Sequence, residues 1–125
     1  MKAPSFNPKT TRAARAVQAW LVLISKAMNR QTIHYKDLGR LMFEKKAAGV
    51  LSQILGHIAY WCSDHNLPPL NAIVVGANRG RPGRYIPTKI SRIDRERERV
   101  YRRNWYVLRP PSEAALVTAW KKRHP

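Results

Sequence analysis

The chain has 125 residues, a length that suits a single domain. A hydrophobic fraction of 44%, with four Trp and five Tyr, supplies a modest core and excludes global disorder. Lys and Arg number 24 against seven acids, so the formal net charge is +17. A domain this basic repels itself, and a polyanion relieves that repulsion. Nucleic acid is the commonest such polyanion, because each neutralised phosphate releases counterions.

Targeting signals are absent from the sequence pattern. No run of 18 apolar residues occurs, and no apolar segment follows the first charges of the N-terminus. We therefore expect neither a membrane span nor a secretory signal. The single cysteine, Cys62, cannot form an internal disulfide, which fits a reducing compartment. These observations predict a cytoplasmic, nucleoid-associated protein.

The N-terminal part is predicted to contain a flexible basic tail, residues 1–9, followed by a helix. From Thr10 to about Asn29 the apolar residues recur at helical spacing, and Thr10 or Thr11 can cap the helix. Arg15 is predicted to lie outside the buried stripe. That stripe would consist of Ala13, Val17, Trp20, Leu21, Ile24 and Met28.

Two further helices are predicted after a short extended piece at residues 31–35. The first is brief, from about Lys36 to Met42, and would bury Leu38, Leu41 and Met42. The second is longer, from about Lys46 to Ser63. Two prolines at 68–69 prevent its continuation, because proline cannot continue a helix.

A β-hairpin is predicted next. Asn71–Val75 is a β-branched strand, a Gly/Pro/Asn turn carries three arginines, and Tyr85–Ile86 is the returning strand. The order of helix, short helix, longer helix and basic-tipped hairpin is that of a winged helix-turn-helix. The predicted fold class is therefore mainly α with a small β-hairpin (α+β). The winged helix-turn-helix would span residues 10–87, with a basic helical C-terminal extension, residues 88–125, packed on the same domain.

The C-terminal extension is predicted to contain two helices. Ser91–Arg103 is a charged helix with Ile93 and Val100 facing inward, and residues 105–108 form a short strand or packing segment. A last helix starts at its N-cap, Ser112. The charged helix alternates in sign but has a surplus of Arg. Two roles stay open: a self-paired surface helix and a contact to phosphates.

The longer helix is the candidate recognition helix, because the major groove admits one helix whose N-terminal residues usually reach the bases. Its polar residues, including Ser52, Gln53 and His57, are predicted to face outward. Arginine in the turn 78–84, the predicted wing, can enter a narrow minor groove with its enhanced negative potential. The candidate DNA-binding residues are Lys36, Lys45, Lys46, Ser52, Gln53, His57, Arg79, Arg81, Arg84, Lys89 and Arg92.

Catalytic and metal chemistry find no support in the residue pattern. Cys62 lies on an apolar helix face, and the four histidines do not form a metal cluster with it. The seven acids do not converge on one place. We expect no enzymatic activity, no metal and no cofactor, with duplex DNA as the partner. Two alternatives stay open, a module that binds an acidic partner protein and a structured-RNA-binding protein. The oligomeric state stays open as well.

Three motifs carry a resemblance over about residues 14–84. Thr32–Gly39 resembles the T-x-x-Y-x-x-L-A start of the helix-turn-helix in DNA alkylguanine alkyltransferases and alkyltransferase-like proteins. Ala47–Leu51 is similar to the start of their recognition helix, and Leu67–Val75 to the stretch around their active-site strand. The resemblance implies docking by helix and wing, and it adds Tyr35 to the candidate DNA-binding residues.

The resemblance does not extend to the chemistry of that family. The Pro-Cys-His-Arg nucleophile motif is missing, and Leu70–Ile73 occupies its place. The position of the arginine that displaces a base in the family is occupied by Gly49. Neither alkyl transfer nor base flipping is therefore implied.

Overall fold

The computed structural model describes residues 3–43, 50–76 and 92–125. In them are five α-helices: α1 (Arg12–Met28), α2 (Tyr35–Phe43), α3 (Val50–Asp64), α4 (Ile93–Arg102) and α5 (Glu113–Arg123). Two short strands, β1 (Ile33–His34) and β2 (Val74–Val75), and two 3₁₀ helices, Leu70–Ile73 and Trp105–Val107, complete these ranges. The predicted mainly helical class with a small β component is confirmed. No helix in these ranges has the length and apolar character needed to cross a membrane.

The sheet joins the segment before α2 to the segment after α3. β1 and β2 are parallel, with Ile33 opposite Val74 and His34 opposite Val75. The predicted strand at 71–75 is wrong in its first part, because Leu70–Ile73 forms a 3₁₀ helix. These residues are buried, and a short apolar run fits a buried helical turn as well as a strand. The predicted partner strand, Tyr85–Ile86, lies outside the described residues.

Helix α1 begins where the sequence predicts, at Thr11, whose side chain accepts a hydrogen bond from the N–H of Ala14. Its buried face differs from the predicted stripe, because Leu21 is 51% exposed. The buried residues are Ala13, Arg15, Ala16, Ala19, Trp20, Leu23 and Ala27. Small alanines form much of this face, so α3 and α5 can pack closely against it. The predicted stripe was wrong here because it favoured large apolar side chains such as Leu21 over the alanines that are in fact buried.

Trp20 lies at the centre of the core. It is fully buried, and its ring packs edge-on against Trp61 of α3 and Trp105 of the second 3₁₀ helix, at centroid distances of 5.3 and 5.6 Å. Such edge-to-face pairs stabilise a core by more than their buried area alone. Trp105 is fixed in turn, since its indole N–H donates to the carbonyl of Val100, 2.7 Å away. One side chain therefore joins α1, α3 and the segment after α4.

Arg15 is buried, which contradicts its predicted place outside the stripe. It is 6% exposed, and its guanidinium donates to the backbone carbonyls of Met42 (2.7 Å) and Asn7 (2.9 Å). The cation also lies over the ring of Phe43, 4.4 Å from its centroid. These contacts satisfy its donors, so the charge can be buried. Arg15 thereby ties the end of α2 and the segment around Asn7, within the predicted tail, to α1.

The two later helices pack on the earlier elements, α4 mainly on the first 3₁₀ helix and α5 mainly on α3. In α4, Ile93 and Val100 face inward as predicted. Leu116 and Ala119 of α5 are buried, and α5 packs against α3 and α1. In contrast, Leu41 of α2 is exposed, although the sequence predicts it to be buried, because the inward side of this helix consists of Leu38, Gly39 and Met42.

We expect Arg15→Ala to lower the free energy of unfolding by about 2 kcal/mol, because the variant leaves the buried carbonyl of Met42 without its charged donor. Urea denaturation measures this change. The matched control is Arg12→Ala, which removes an exposed arginine from the same helix and should cost less than about 0.5 kcal/mol. Equal losses in the two variants would contradict a structural role for Arg15.

Candidate nucleic-acid interface

Helices α2 and α3 approach each other at their first turns. The hydroxyl groups of Tyr35 and Ser52 lie 3.1 Å apart, at hydrogen-bonding distance. β1 runs directly into α2, and β2 follows the 3₁₀ helix after α3. The pairing of the two strands therefore holds the start of α2 near the segment that follows α3. We call the stretch from α2 to α3 the α2–α3 unit. We use "the α2–α3 face" for the exposed side of α2, with Lys36 and Arg40, together with the first turn of α3, with Ser52 and Gln53, which the contact between Tyr35 and Ser52 joins.

Cations of α2 lie on this face. Lys36 and Arg40 are one helical turn apart and both exposed. Lys36 lines a hollow with Tyr35 and Asp37, and Arg40, which pairs with Asp37, lines a neighbouring groove with Lys26 of α1. Sequence reasoning missed Arg40 as a candidate site residue, although its spacing of four residues from Lys36 places both on one side of α2.

The accessible part of α3 is short. Val50 is exposed, and Ser52 and Gln53 are half-buried, whereas every residue from Ile54 to Ala59 is buried. The prediction that His57 faces outward is therefore wrong. α5 lies over that side of α3, and a contact between segments so far apart in sequence leaves no sign in the periodicity of α3 itself.

His57 belongs to the packing of α5. It is 5% exposed, and its ring stacks on Trp120 with centroids 4.4 Å apart and planes at 6°. The Nδ1–H donates to the carbonyl of Gln53, 2.6 Å away. Loss of water around the ring lowers the pKa of His57, and the nearby charges of Arg12 and His124 lower it further. The hydrogen bond to the Gln53 carbonyl raises this pKa, but by less than burial lowers it. A neutral, covered imidazole is not available to a DNA phosphate or base.

The remaining predicted residues are only partly described. Arg92 is exposed just before α4. Outside the described residues lie Lys45, Lys46, Arg79, Arg81, Arg84 and Lys89. The structure therefore brings Tyr35 and Ser52 together, with Lys36 and Gln53 next to them in sequence, and removes His57 from the predicted set.

The carboxylates of the described residues all contact donor groups of the protein itself. Each of the six described acids contacts a donor: Asp37 with Arg40, Asp64 with Arg123, Asp94 with Arg97, Glu96 with Arg99, Glu98 with Arg30, and Glu113 with Thr11. Arg123 and Arg30 hold the pKa values of Asp64 and Glu98 below their usual range, mainly through these hydrogen bonds. Several exposed cations have no acidic partner within the described ranges: Lys9, Arg12, Lys36, Arg92, Arg95, Arg103, Arg109 and Lys121. The surface therefore carries the positive excess.

The other reactive side chains are placed in the core. Cys62 is buried, and this burial raises the pKa of its thiol to about 12, so the thiol is protonated at neutral pH. In the part of the chain that is described, His, Cys, Asp and Glu form no group of three that could hold a metal ion.

Comparisons with protein-family models, curated proteins and solved structures found no match to this chain. The resemblance to alkyltransferases and alkyltransferase-like proteins is therefore carried by the motif residues alone. Leu70–Ile73, which occupies the place of that family's nucleophile motif, is the buried 3₁₀ helix. It contains no nucleophilic side chain, and the amide of Asn71 is fully buried there.

The buried imidazole predicts a pH dependence of stability. Because the pKa of His57 is lower in the folded protein, the unfolded chain binds the proton first as the pH falls. The stability contributed by His57 should be present above about pH 6.5, the ordinary pKa of histidine, and be lost progressively below it. Urea denaturation at a series of pH values measures this slope, which His57→Phe should reduce while it keeps a ring against Trp120. The matched control, His34→Phe at an exposed position, keeps the buried histidine and should keep the slope.

Proposed function

We propose that this protein is a non-enzymatic duplex-DNA-binding protein, accessory or regulatory, that docks through the α2–α3 face as a winged helix-turn-helix. The observation that carries the proposal is the distribution of charge. Six of the seven acids are tied to donors of the protein itself, Asp37 to Arg40 among them, while Lys36 lies exposed on α2 without an acidic partner within the described ranges, next to the Tyr35 that contacts the first turn of α3. A duplex is the anionic surface that such an arrangement fits best.

The first turn of α3 would supply the contacts to bases. Residues at the N-terminal end of a recognition helix usually reach the base edges in the major groove. Gln53 can pair with the N6 and N7 positions of adenine, and Ser52 can contact any base. Since residues 54–59 are buried, only this turn of the described helix can enter the groove. Sequence preference should therefore be modest.

Contacts to the DNA backbone would come from α2. Lys36 and Arg40 can each neutralise a phosphate, and the Tyr35 hydroxyl can donate to another. The hydrogen bond between Tyr35 and Ser52 couples the backbone contact to the turn that reads bases. A phosphate bound at α2 would thus help to fix the register of α3 in the groove.

The predicted wing would supply a second group of contacts. Its sequence, residues 78–84, combines Arg79, Arg81 and Arg84 with two glycines that allow close approach of the backbone. Arginines of this kind favour a narrow minor groove. Lys45, Lys46, Lys89 and Arg92 would add phosphate contacts on either side of the α2–α3 unit.

Titration of a labelled random duplex at several salt concentrations tests the proposal. If six to eight phosphates are neutralised, the plot of log affinity against log salt should have a slope of about −5 to −7. Little or no salt dependence would contradict binding by charge. Tighter binding to duplex RNA than to duplex DNA would favour the RNA-binding alternative, and weak binding to both would favour an acidic protein partner.

The double variant Lys36→Gln/Arg40→Gln tests the docking face. It removes two phosphate contacts and should make the salt slope shallower by about 1.8. The matched control, Lys9→Gln/Lys121→Gln, removes the same charge from exposed positions outside the α2–α3 face and should change the slope by less. If the two variants lose affinity equally, DNA does not dock at α2.

A further inference from the structure

A second basic surface lies beyond the C-terminal end of α3. Asn66 and Pro68, which follow that helix, line a groove together with the end of α4 and the residues after it. Arg99, Arg102 and Arg103 line it, and the amides of Asn66 and Asn104 add hydrogen-bonding groups. We call this surface the α4 groove. Three guanidinium groups in one groove are typical of a site for phosphates.

Two of these arginines are held in place by acids of their own helix. Arg99 donates through Nη1 to Glu96 at 2.9 Å, and Arg102 donates through Nε to Glu98 at 3.2 Å. A guanidinium has five N–H donors, so each keeps further donors for another acceptor. The side chains stay 54% and 77% exposed, and Arg103 has no acidic partner within the described ranges. The groove is therefore positively charged and partly preorganised.

The arginines continue along α4 as a row. Arg95 and Arg99 are four residues apart in α4, so they lie on one side of the helix about 6 Å apart along its axis, and Arg103 follows the last helical residue. All three are exposed, whereas Arg97, on the other side, donates to the carbonyl of Ala72 in the core. A row of this kind can follow a phosphodiester backbone, which presents its charges in a line.

Helix α3 separates this surface from the α2–α3 face. Ser52 and Asp64 are twelve residues apart on one straight element, which corresponds to about 18 Å. The α4 groove begins after Asp64, at Asn66. If the first turn of α3 enters a major groove, the other end of the helix is directed away from that duplex. A second anionic partner can then occupy the α4 groove at the same time.

We propose that the α4 groove binds the phosphate backbone of a second DNA duplex, so that one chain bridges two DNA segments. The first of these contacts is the one described under the proposed function, on which bridging therefore rests. Val107, which lines the groove, and Tyr106, which precedes it in sequence, support the assignment, because they are 71% and 58% exposed. Their apolar surface can pack against deoxyribose while the arginines bind the phosphates.

The test mixes donor-labelled and acceptor-labelled duplexes of about two helical turns, too short to reach around the protein. Energy transfer reports bridging, and sedimentation reports the number of duplexes bound to each chain. The wild-type protein should give energy transfer and bind two duplexes. Arg99→Gln/Arg102→Gln/Arg103→Gln should bind one duplex and give almost no transfer. The control Lys9→Gln/Arg12→Gln/Lys121→Gln loses the same charge from exposed positions and should still bridge.

The outcomes separate the two proposals. A wild-type protein that binds one duplex without energy transfer overturns bridging and leaves the proposed function intact. Transfer that persists in the groove variant also overturns bridging, since it would then arise from another surface or from self-association. If the groove variant loses all binding while Lys36→Gln/Arg40→Gln keeps it, the α2–α3 face is not the docking site. Wild-type protein that binds no duplex overturns both.

Discussion

The middle of helix α3, from Ile54 to Ala59, is buried without a break, and this packing decides which parts of the helix a partner can reach. α1, α5 and the first 3₁₀ helix all contact α3, so the residues from Ile54 to Ala59 have no access to solvent. Trp20 holds the crossing with α1 through its contact with Trp61. The exposed residues of α3 lie at its two ends, in the first turn beside Tyr35 of α2 and in the last turn, where Asp64 pairs with Arg123 of α5. A partner that contacts α3 must therefore approach one of these ends.

The cations of this chain serve two different purposes. Some stabilise the fold: Arg15 binds buried carbonyls, and Arg123 joins α5 to Asp64 at the end of α3 with a bond of 2.8 Å. Others, such as Arg95 and Arg103, are exposed and have no acidic partner within the described ranges. Exposed ion pairs contribute little to stability. The acids of α4 therefore act mainly by orienting the guanidinium groups that they contact. Net charge alone does not distinguish these roles.

Much of the secondary structure is predictable because its signals are local. Thr11 and Ser112 cap α1 and α5 as the sequence indicates, and the apolar spacing locates α2, α3 and α4 within a few residues. The errors arise where a distant segment decides the outcome. Arg15 is buried because α2 and Asn7 offer it carbonyl acceptors. His57 is buried because Trp120, more than sixty residues later, stacks on it.

The amino-acid sequence by itself determined the mainly helical class, the caps, and the large positive charge, since these depend on residue types and short-range spacing. The tertiary structure alone decided which helix face is accessible and which arginines remain at the surface. It also decided that β2 pairs with β1, the strand before α2, in parallel. The physical reason is that burial, ring stacking and ion pairing depend on neighbours in space, and those neighbours come from segments that no local pattern connects.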